Sequence, residues 1–523
     1  MTRRLASLVV ALLVTSCAIP LIGNSSPNYG FITITDAGTT LVGGSSDVPP
    51  TLGLRLHAAA PFRVEDVTAL LDSHALTMLP SGGDLTASTA PMPLGSAHHL
   101  EIRISGRAEG ISIDFNVISP TRAMLAGHLD PAEGLIVDGV FDDPPDHAGV
   151  AHLWTGAQLT WGDANHVRAK WPAGPPAAVQ LPATLSTARG SHLLAPISLD
   201  LTHIAPATVR RATIPPPPSI GSTTLVAFVV NSAASNTSLA HHQSVLTWIG
   251  ATGWTAQADG TILGTPDPIA VRRGVAARLP VWPSLGNDTT NPAATSALLH
   301  NPAAVSQLIN TVVTSAVDGA FPGVNLDFEA MLASDRDAFT GFVRQLASAL
   351  HAKNEQLVVD IVPHDSGGTN KFSVAYDVAS LGAAADLIDL MAYDEHGEGG
   401  TPGPVAGLDW DKSVLTATLP SLNPAHTLLG VPLYARTWSG GAGTSAGYSD
   451  ALASALATPG ARVGYDFAAQ TPLIAGPDGS SVTYFDDADS LARKIALVHD
   501  YHLAGVAAWR LGFEDPGFWS LFG

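Results

Sequence analysis

Cysteine is almost missing from this chain: Cys17 is the only one in 523 residues. A lone thiol cannot close an internal disulfide or build a thiolate metal site. Charge is scarce too, at 13% against 46% hydrophobic residues, so most of the sequence can fold around apolar cores. Positive charge is the scarcer sign, with 25 Lys and Arg against 45 Asp and Glu and a formal net charge of −20. That balance argues against a nucleic-acid backbone as partner. No long apolar run opens the chain either, since Leu5 to Val14 is too short to span a bilayer.

What does stand there reads as an export signal over residues 1–17. Arg3 and Arg4 supply its positive region and Leu5 to Val14 its apolar one. Val14-Thr15-Ser16-Cys17 resembles the lipobox of bacterial lipoprotein signals, in which the cysteine is lipidated. The expectation is an exported protein of the cell envelope, held to the outer face of the membrane only through Cys17. An ordinary cleaved signal and secretion is the other reading.

The length suggests roughly three domains. Residues 18–50 are rich in Gly, Ser, Thr and Pro and read as a flexible spacer. From 51 to 210 short alternating runs are separated by turn residues, as in Leu100-Glu-Ile-Arg-Ile-Ser105 and Ile111-Ser-Ile-Asp-Phe-Asn-Val117. This predicts an all-β region, an immunoglobulin-like sandwich over 51–125 and a second β-rich module over 126–210. The hairpin around Gly106 to Gly110 carries the immunoglobulin-like likeness. Trp154, Trp161 and Trp171 read as core rather than as a sugar platform. A proline run, Pro215 to Pro218, marks a linker over 211–220.

Beyond the linker, over 221–523, strand-like and helical segments alternate. Eight strand candidates follow in order: 225–230, 246–249, 277–281, 324–328, 357–362, 387–391, 428–431 and 505–509. Ser334 reads as the N-cap of a helix whose Phe339, Phe342, Val343, Leu346 and Leu350 fall on one face. Eight strands with helical crossovers predict a (β/α)₈ TIM barrel. The first strand is followed by no glycine-rich phosphate turn, which weighs against a doubly wound sheet.

Barrel chemistry gathers at the C-terminal ends of the strands, and these ends are polar here. Residues 323–329, Gly-Val-Asn-Leu-Asp-Phe-Glu, alternate with the period of a strand, so Asn325, Asp327 and Glu329 share one face. Crowded carboxylates raise one another's pKa, which suits a general acid; an exposed polar strand face is the plainer reading of this segment alone. Other strand ends carry His364-Asp365, Tyr393-Asp394-Glu395-His396, Tyr434 with Arg436, and Trp509. Five converging polar ends favour catalysis. His98-His99 and His241-His242 read as surface, and neither a metal nor an organic cofactor is implied.

These ends resemble the family-18 glycoside hydrolases, the chitinase-like group. The family's Asp-Gly-x-Asp-x-Asp-x-Glu is matched at residues 322–329 by Pro-Gly-Val-Asn-Leu-Asp-Phe-Glu, with Pro322 and Asn325 in place of its first two aspartates. Met391-Ala-Tyr-Asp394 matches its Met-x-Tyr-Asp. Gly430-Val-Pro-Leu-Tyr-Ala-Arg436 resembles its Gly-x-Pro-x-Tyr-Gly-Arg segment, and Trp509 stands where the family has the tryptophan flooring its subsite. The likeness is greatest to the bacterial branch of spore-germination and cell-wall N-acetylglucosaminidases.

The resemblance implies substrate-assisted, retaining cleavage of a polysaccharide containing N-acetylglucosamine; the oligomeric state is open, with a monomer the expectation. It gives Glu329 the acid–base role, Asp327 the orientation of the substrate acetamide, and Tyr393 a hydrogen bond to the acetamide oxygen. Asn325, Asp394, Tyr434, Arg436 and Trp509 would bind substrate, with the Asn325 amide also hydrogen-bonded to Asp327. Chitin, peptidoglycan and exopolysaccharide all carry the required group. A non-catalytic glycan-binding lipoprotein is the alternative, and the presence of Glu329 argues against it.

Overall fold

In the computed structural model, residues 33–34, 39–41, 43–57, 64–82, 84–105, 111–187, 190–364 and 371–522 are described. Cys17, the export signal, Asp365 and the hairpin around Gly106 to Gly110 lie outside them. The chain divides into two compact units.

The first unit takes in the described residues up to Thr121, with 143–149 and 182–194. Two five-stranded sheets share one apolar core here. In the strand Ile111–Val117 buried and exposed residues alternate strictly, as the sequence pattern demands. Strands at Thr33–Ile34, Thr39–Thr40 and Ser45–Val48 belong to these sheets, so part of the expected spacer is sandwich.

The second unit holds 122–142, 150–181 and everything from Ala195 onward. Its frame is a closed parallel barrel of eight strands: β1 (Leu225–Val229), β2 (Trp248–Ala256), β3 (Val281–Gly286), β4 (Gly323–Asp327), β5 (Gln356–Ile361), β6 (Leu387–Leu390), β7 (Thr427–Pro432) and β8 (Gly505–Trp509). Each pairs in parallel with its neighbours, and β1 pairs with both β8 and β2 to close the ring. The third strand differs from expectation: Pro268–Ala277 is helical, and the strand starts at Val281. Asp267 caps that helix and Pro268 opens it, a start signal that outweighs the apolar run at 277–281.

Alternation on β4 splits its side chains between two environments. Val324, Leu326 and Phe328 are fully buried on the helix side, where Phe328 stacks at 5.6 and 6.0 Å on Phe342 and Phe339 of α1 (Arg336–His351). The expected cap Ser334 falls in a preceding 3₁₀ turn, and Asp335 takes the N-cap position. Inside the barrel, Val226, Phe228, Trp248, Trp282, Val358, Leu428 and Ala507 form an apolar plug.

Between β7 and β8 the chain inserts a five-stranded antiparallel sheet and the helix Tyr448–Leu456. A second five-stranded sheet, built from strands between Ala123 and Ile214, belongs to this same unit. Its Met124, Ala126 and Val140 share a core with Tyr448, Leu452, Val463, Ile474 and Phe485 of the insertion. The module thus begins at Ala123 rather than 126, and Val209–Ile214 is strand where a linker was expected to open. Trp154 is buried in the module, while Trp161 and Trp171 are partly buried.

Arg211 on this sheet donates to Asp487 at 2.7 and 2.6 Å, and Asp487 caps α2 (Ala488–Asp500), the helix leading to β8. Burial alone would raise the Asp487 carboxyl, but the charge and hydrogen bonds of Arg211 outweigh it and hold the group low. Replacing Arg211 with Met strands a buried carboxylate and should cost about 3–5 kcal/mol in urea unfolding. Combining it with Asp487→Asn, which keeps the cap, should recover most of that loss.

Candidate active site

At the carboxyl ends of the strands, β4 delivers Asp327 and, two residues on, Glu329. A side chain from β3 fixes the acid's main chain. Asn287, just past the end of β3, accepts from Glu329 N–H at 2.8 Å and donates to its carbonyl at 2.9 Å. Tyr376 steadies the same turn by donating to the Phe328 carbonyl at 2.7 Å. Neither residue was singled out from sequence. Asn287 was hidden because the third strand was read several residues early. Tyr376 lies in no strand and gave no signal.

Glu329 lines a cavity of about 180 Å³ together with Phe228, Asp327, Asp360, Tyr393 and Trp509. Burial, and then the charge of Asp394, raise the Glu329 carboxyl above the usual range. The same acid also borders a larger cavity of about 880 Å³, whose walls include Lys371, Phe372, Trp410 and Tyr393. Glu329 therefore stands where the two spaces meet. Trp509 closes the small cavity from β8, its ring 5.6 Å from Phe228.

Tyr393 follows β6, and its ring meets that of Tyr434 edge to face at 6.3 Å. A Cβ on Gly430 would stand 2.7 Å from the Leu390 carbonyl and 3.0 Å from the Tyr393 ring, so only glycine leaves that ring its place. Burial, with the acids around it, keeps the Tyr393 hydroxyl protonated. Asp394 adopts a left-handed backbone, φ 64°, and Arg436 reaches it at 2.8 Å while the Tyr434 hydroxyl donates to it. Arg436 also donates to the His396 carbonyl at 2.7 Å and is nearly buried. Tyr434 and Arg436 thus both hold Asp394, although both line the small cavity.

Asn325 requires a correction. It is fully buried, and its amide donates to Asp360 at 2.7 Å and to Ser284 at 3.3 Å rather than bonding Asp327 or facing substrate. Its neighbours on β3 and β5 offer acceptors inside the barrel, and the amide follows them. Glu395 accepts from the Gly407 N–H at 2.7 Å and His396 bonds the Thr401 carbonyl at 3.0 Å, so both brace the loop after β6. The His364 carbonyl accepts from Thr418 at 3.3 Å. Among the described residues, no group of three or more His, Cys, Asp or Glu is placed to hold a metal ion.

A closed parallel barrel with a buried acid above an aromatic floor defines a glycosidase-type site. Comparison with known proteins agrees: residues 269–514 match the family described as Glycosyl hydrolases family 18. The chain is 32% identical over 234 residues to YdhD of Bacillus subtilis, named as a sporulation-specific glycosylase, covering 43% of this chain and 55% of that protein. It is 25% identical over 290 residues to the cortical fragment-lytic enzyme of Bacillus subtilis, covering 53% of this chain and 67% of the enzyme. The crystal structure of a chitinase from Chromobacterium violaceum superposes with a TM-score of 0.54 at 29% identity, over 58% of this chain and 98% of that one. Over residues 269–514 the barrel thus carries a family-18 glycosyl hydrolase match and is similar to the chitinase-like members of that family.

Burial also pushes Asp389 up to about 7, and raises Asp327 and Asp360 well above the usual carboxylate range with help from the neighbouring acids. An acid whose folded pKa is raised holds its proton while the unfolded chain has lost it. Its contribution to stability is therefore full below about pH 4 and is lost as pH rises through the folded value. The unfolding free energy should fall between about pH 4.5 and about pH 7.5. Asp389→Asn, neutral throughout, should remove about 2–4 kcal/mol of that fall in urea titrations at the two pH values.

Proposed function

We propose that this protein is a retaining glycosidase that cleaves β-linked N-acetylglucosamine polysaccharide, of the chitin or peptidoglycan type, by substrate-assisted catalysis. The observation that carries this reading is Glu329: an acid whose carboxyl burial raises above the usual range, clamped by Asn287 at its main chain, at the junction of the two cavities. The small cavity has the scale of one pyranose ring, and the larger one suits the leaving part of the chain.

Glu329 protonates the leaving oxygen and later activates the water that opens the intermediate. Asp327 stands on the same strand face as the acid, two residues away. It is poorly placed to attack from the opposite side of the ring, where an enzyme nucleophile belongs. The acetamido oxygen of the substrate takes that part, with the acetamide N–H turned to Asp327 and its oxygen to Tyr393. Trp509 supplies the stacking floor. The likeness to the cortical fragment-lytic enzyme and to chitinases supports an acetamido-sugar polymer as substrate.

The test uses the full chain on chitin oligomers and on peptidoglycan, with products analysed by mass spectrometry and their anomers by proton NMR. The expected result is release of sugars with β configuration from one polymer, with Glu329→Gln lowering turnover by about 10²–10⁴-fold while binding persists. Undiminished turnover in E329Q, or α products, would rule the reading out. Binding without any turnover in the wild type would instead assign a glycan-binding protein.

A further inference from the structure

Asp327, Asp360 and Asp389 stand on three consecutive strands at one level of the barrel. Leu326 pairs with Val359 and Asp360 with Asp389, so the next residue of β4, Asp327, falls beside Asp360. Neighbouring strands lie about 4.8 Å apart, and these side chains share the interior face with Val358 and Leu387. Asp360 and Asp389 are 4% and 1% exposed. On each of the three, the Oδ1 atom is buried without a hydrogen-bond partner.

The groups around Asp360 do not answer that need. From β3 comes Ser284, and from β4 come Asn325 and the acids Asp327 and Glu329. From β6 comes Asp389, and the phenols Tyr376 and Tyr393 complete the surroundings. No cation is among these groups. Three adjacent carboxylates without one cannot all be ionised, whereas a protonated carboxyl becomes a donor.

We infer that the three aspartates share two protons and that Asp360 is a positioning residue, donating from Oδ1 to Asp327 and holding that carboxylate ionised and oriented. The Oδ2 atom of Asp360 already accepts from Asn325 at 2.7 Å, which leaves Oδ1 for the proton. Asp389, protonated, donates to the remaining lone pair of Asp360. One negative charge then stays in the layer, on Asp327, two residues before Glu329. The buried amide of Asn325 sets the direction of this relay, which accounts for an asparagine at a position where it meets no substrate.

This inference rests on the proposed role of Asp327 in a hydrolytic site. The experiment measures kcat/KM against pH with an umbelliferyl glycoside of chitobiose, for the wild type, Asp360→Ala and Asp360→Asn. Loss of the donor in D360A should raise the acid limb of the profile by about one pH unit, a tenfold loss of rate on that limb. In D360N the amide can accept from Asn325 and donate to Asp327, so the limb should return to the wild-type position. An acid limb unmoved in both variants, with equal loss at every pH, would overturn the relay and leave Asp360 a packing residue. Infrared difference spectra of the wild type against D360N and Asp389→Asn, at neutral pH, count protonated carboxyls whether or not the protein cleaves sugar. Each variant should remove one protonated-carboxyl band, and no change in either would refute the two-proton layer. Absent turnover together with lost bands would refute the hydrolytic reading alone.

Discussion

Several carboxyl groups lie inside a barrel whose lower half is sealed by tryptophan and aliphatic side chains. That placement governs the rest of the site. The interior cannot solvate a full set of charges, so its acids stay protonated to higher pH than they would in water. A proton held in this way is what a glycosidic oxygen requires from Glu329. The aromatic plug thus has a part in the chemistry as well as in the packing, because without it water would return the acids to their ordinary range.

Rigidity at the acid comes from the segments that follow the neighbouring strands β3 and β5. Asn287 reads both main-chain groups of Glu329, and Tyr376 holds the carbonyl before it. Neither contact depends on the carboxyl group itself. On the other side of the cleft, Arg436 and Tyr434 secure Asp394 in a left-handed backbone that aspartate tolerates better than most residues. The flexible ends of catalytic side chains are thereby attached to a frame that they do not have to stabilise.

Much of this was legible beforehand, because strand and helix periods differ and the strands here are short and well separated. The alternation in 323–329 put Val324, Leu326 and Phe328 on one face, which the structure buries against the helices, and the face of α1 followed from Phe339 to Leu350. The failures have physical causes. The apolar run at 277–281 resembled a strand until the capping aspartate and proline ahead of it are given their weight, and with that strand misplaced Asn287 could not be seen. Asp360 and Asp389 were written within strand segments, yet a single charged residue in an apolar strand looks like noise. Their meaning comes from inter-strand register, which one sequence does not carry. The partner of Asn325 was misjudged for the same reason, since its acceptor comes from the adjacent strand rather than from its own.

The proline run after Ile214 looks like a natural place to cut the chain, and by sequence it separates the β-rich region from the barrel. The ion pair between Arg211 and Asp487 says otherwise. A fragment starting after the prolines would strip the arginine from a carboxylate that caps the last barrel helix, and would leave Tyr448, Leu452 and Phe485 without the sheet that covers them. The smallest piece that can be expected to fold and act therefore starts before Arg122. Genetic or biochemical dissection of this protein should treat the sheet and the barrel as one folding unit.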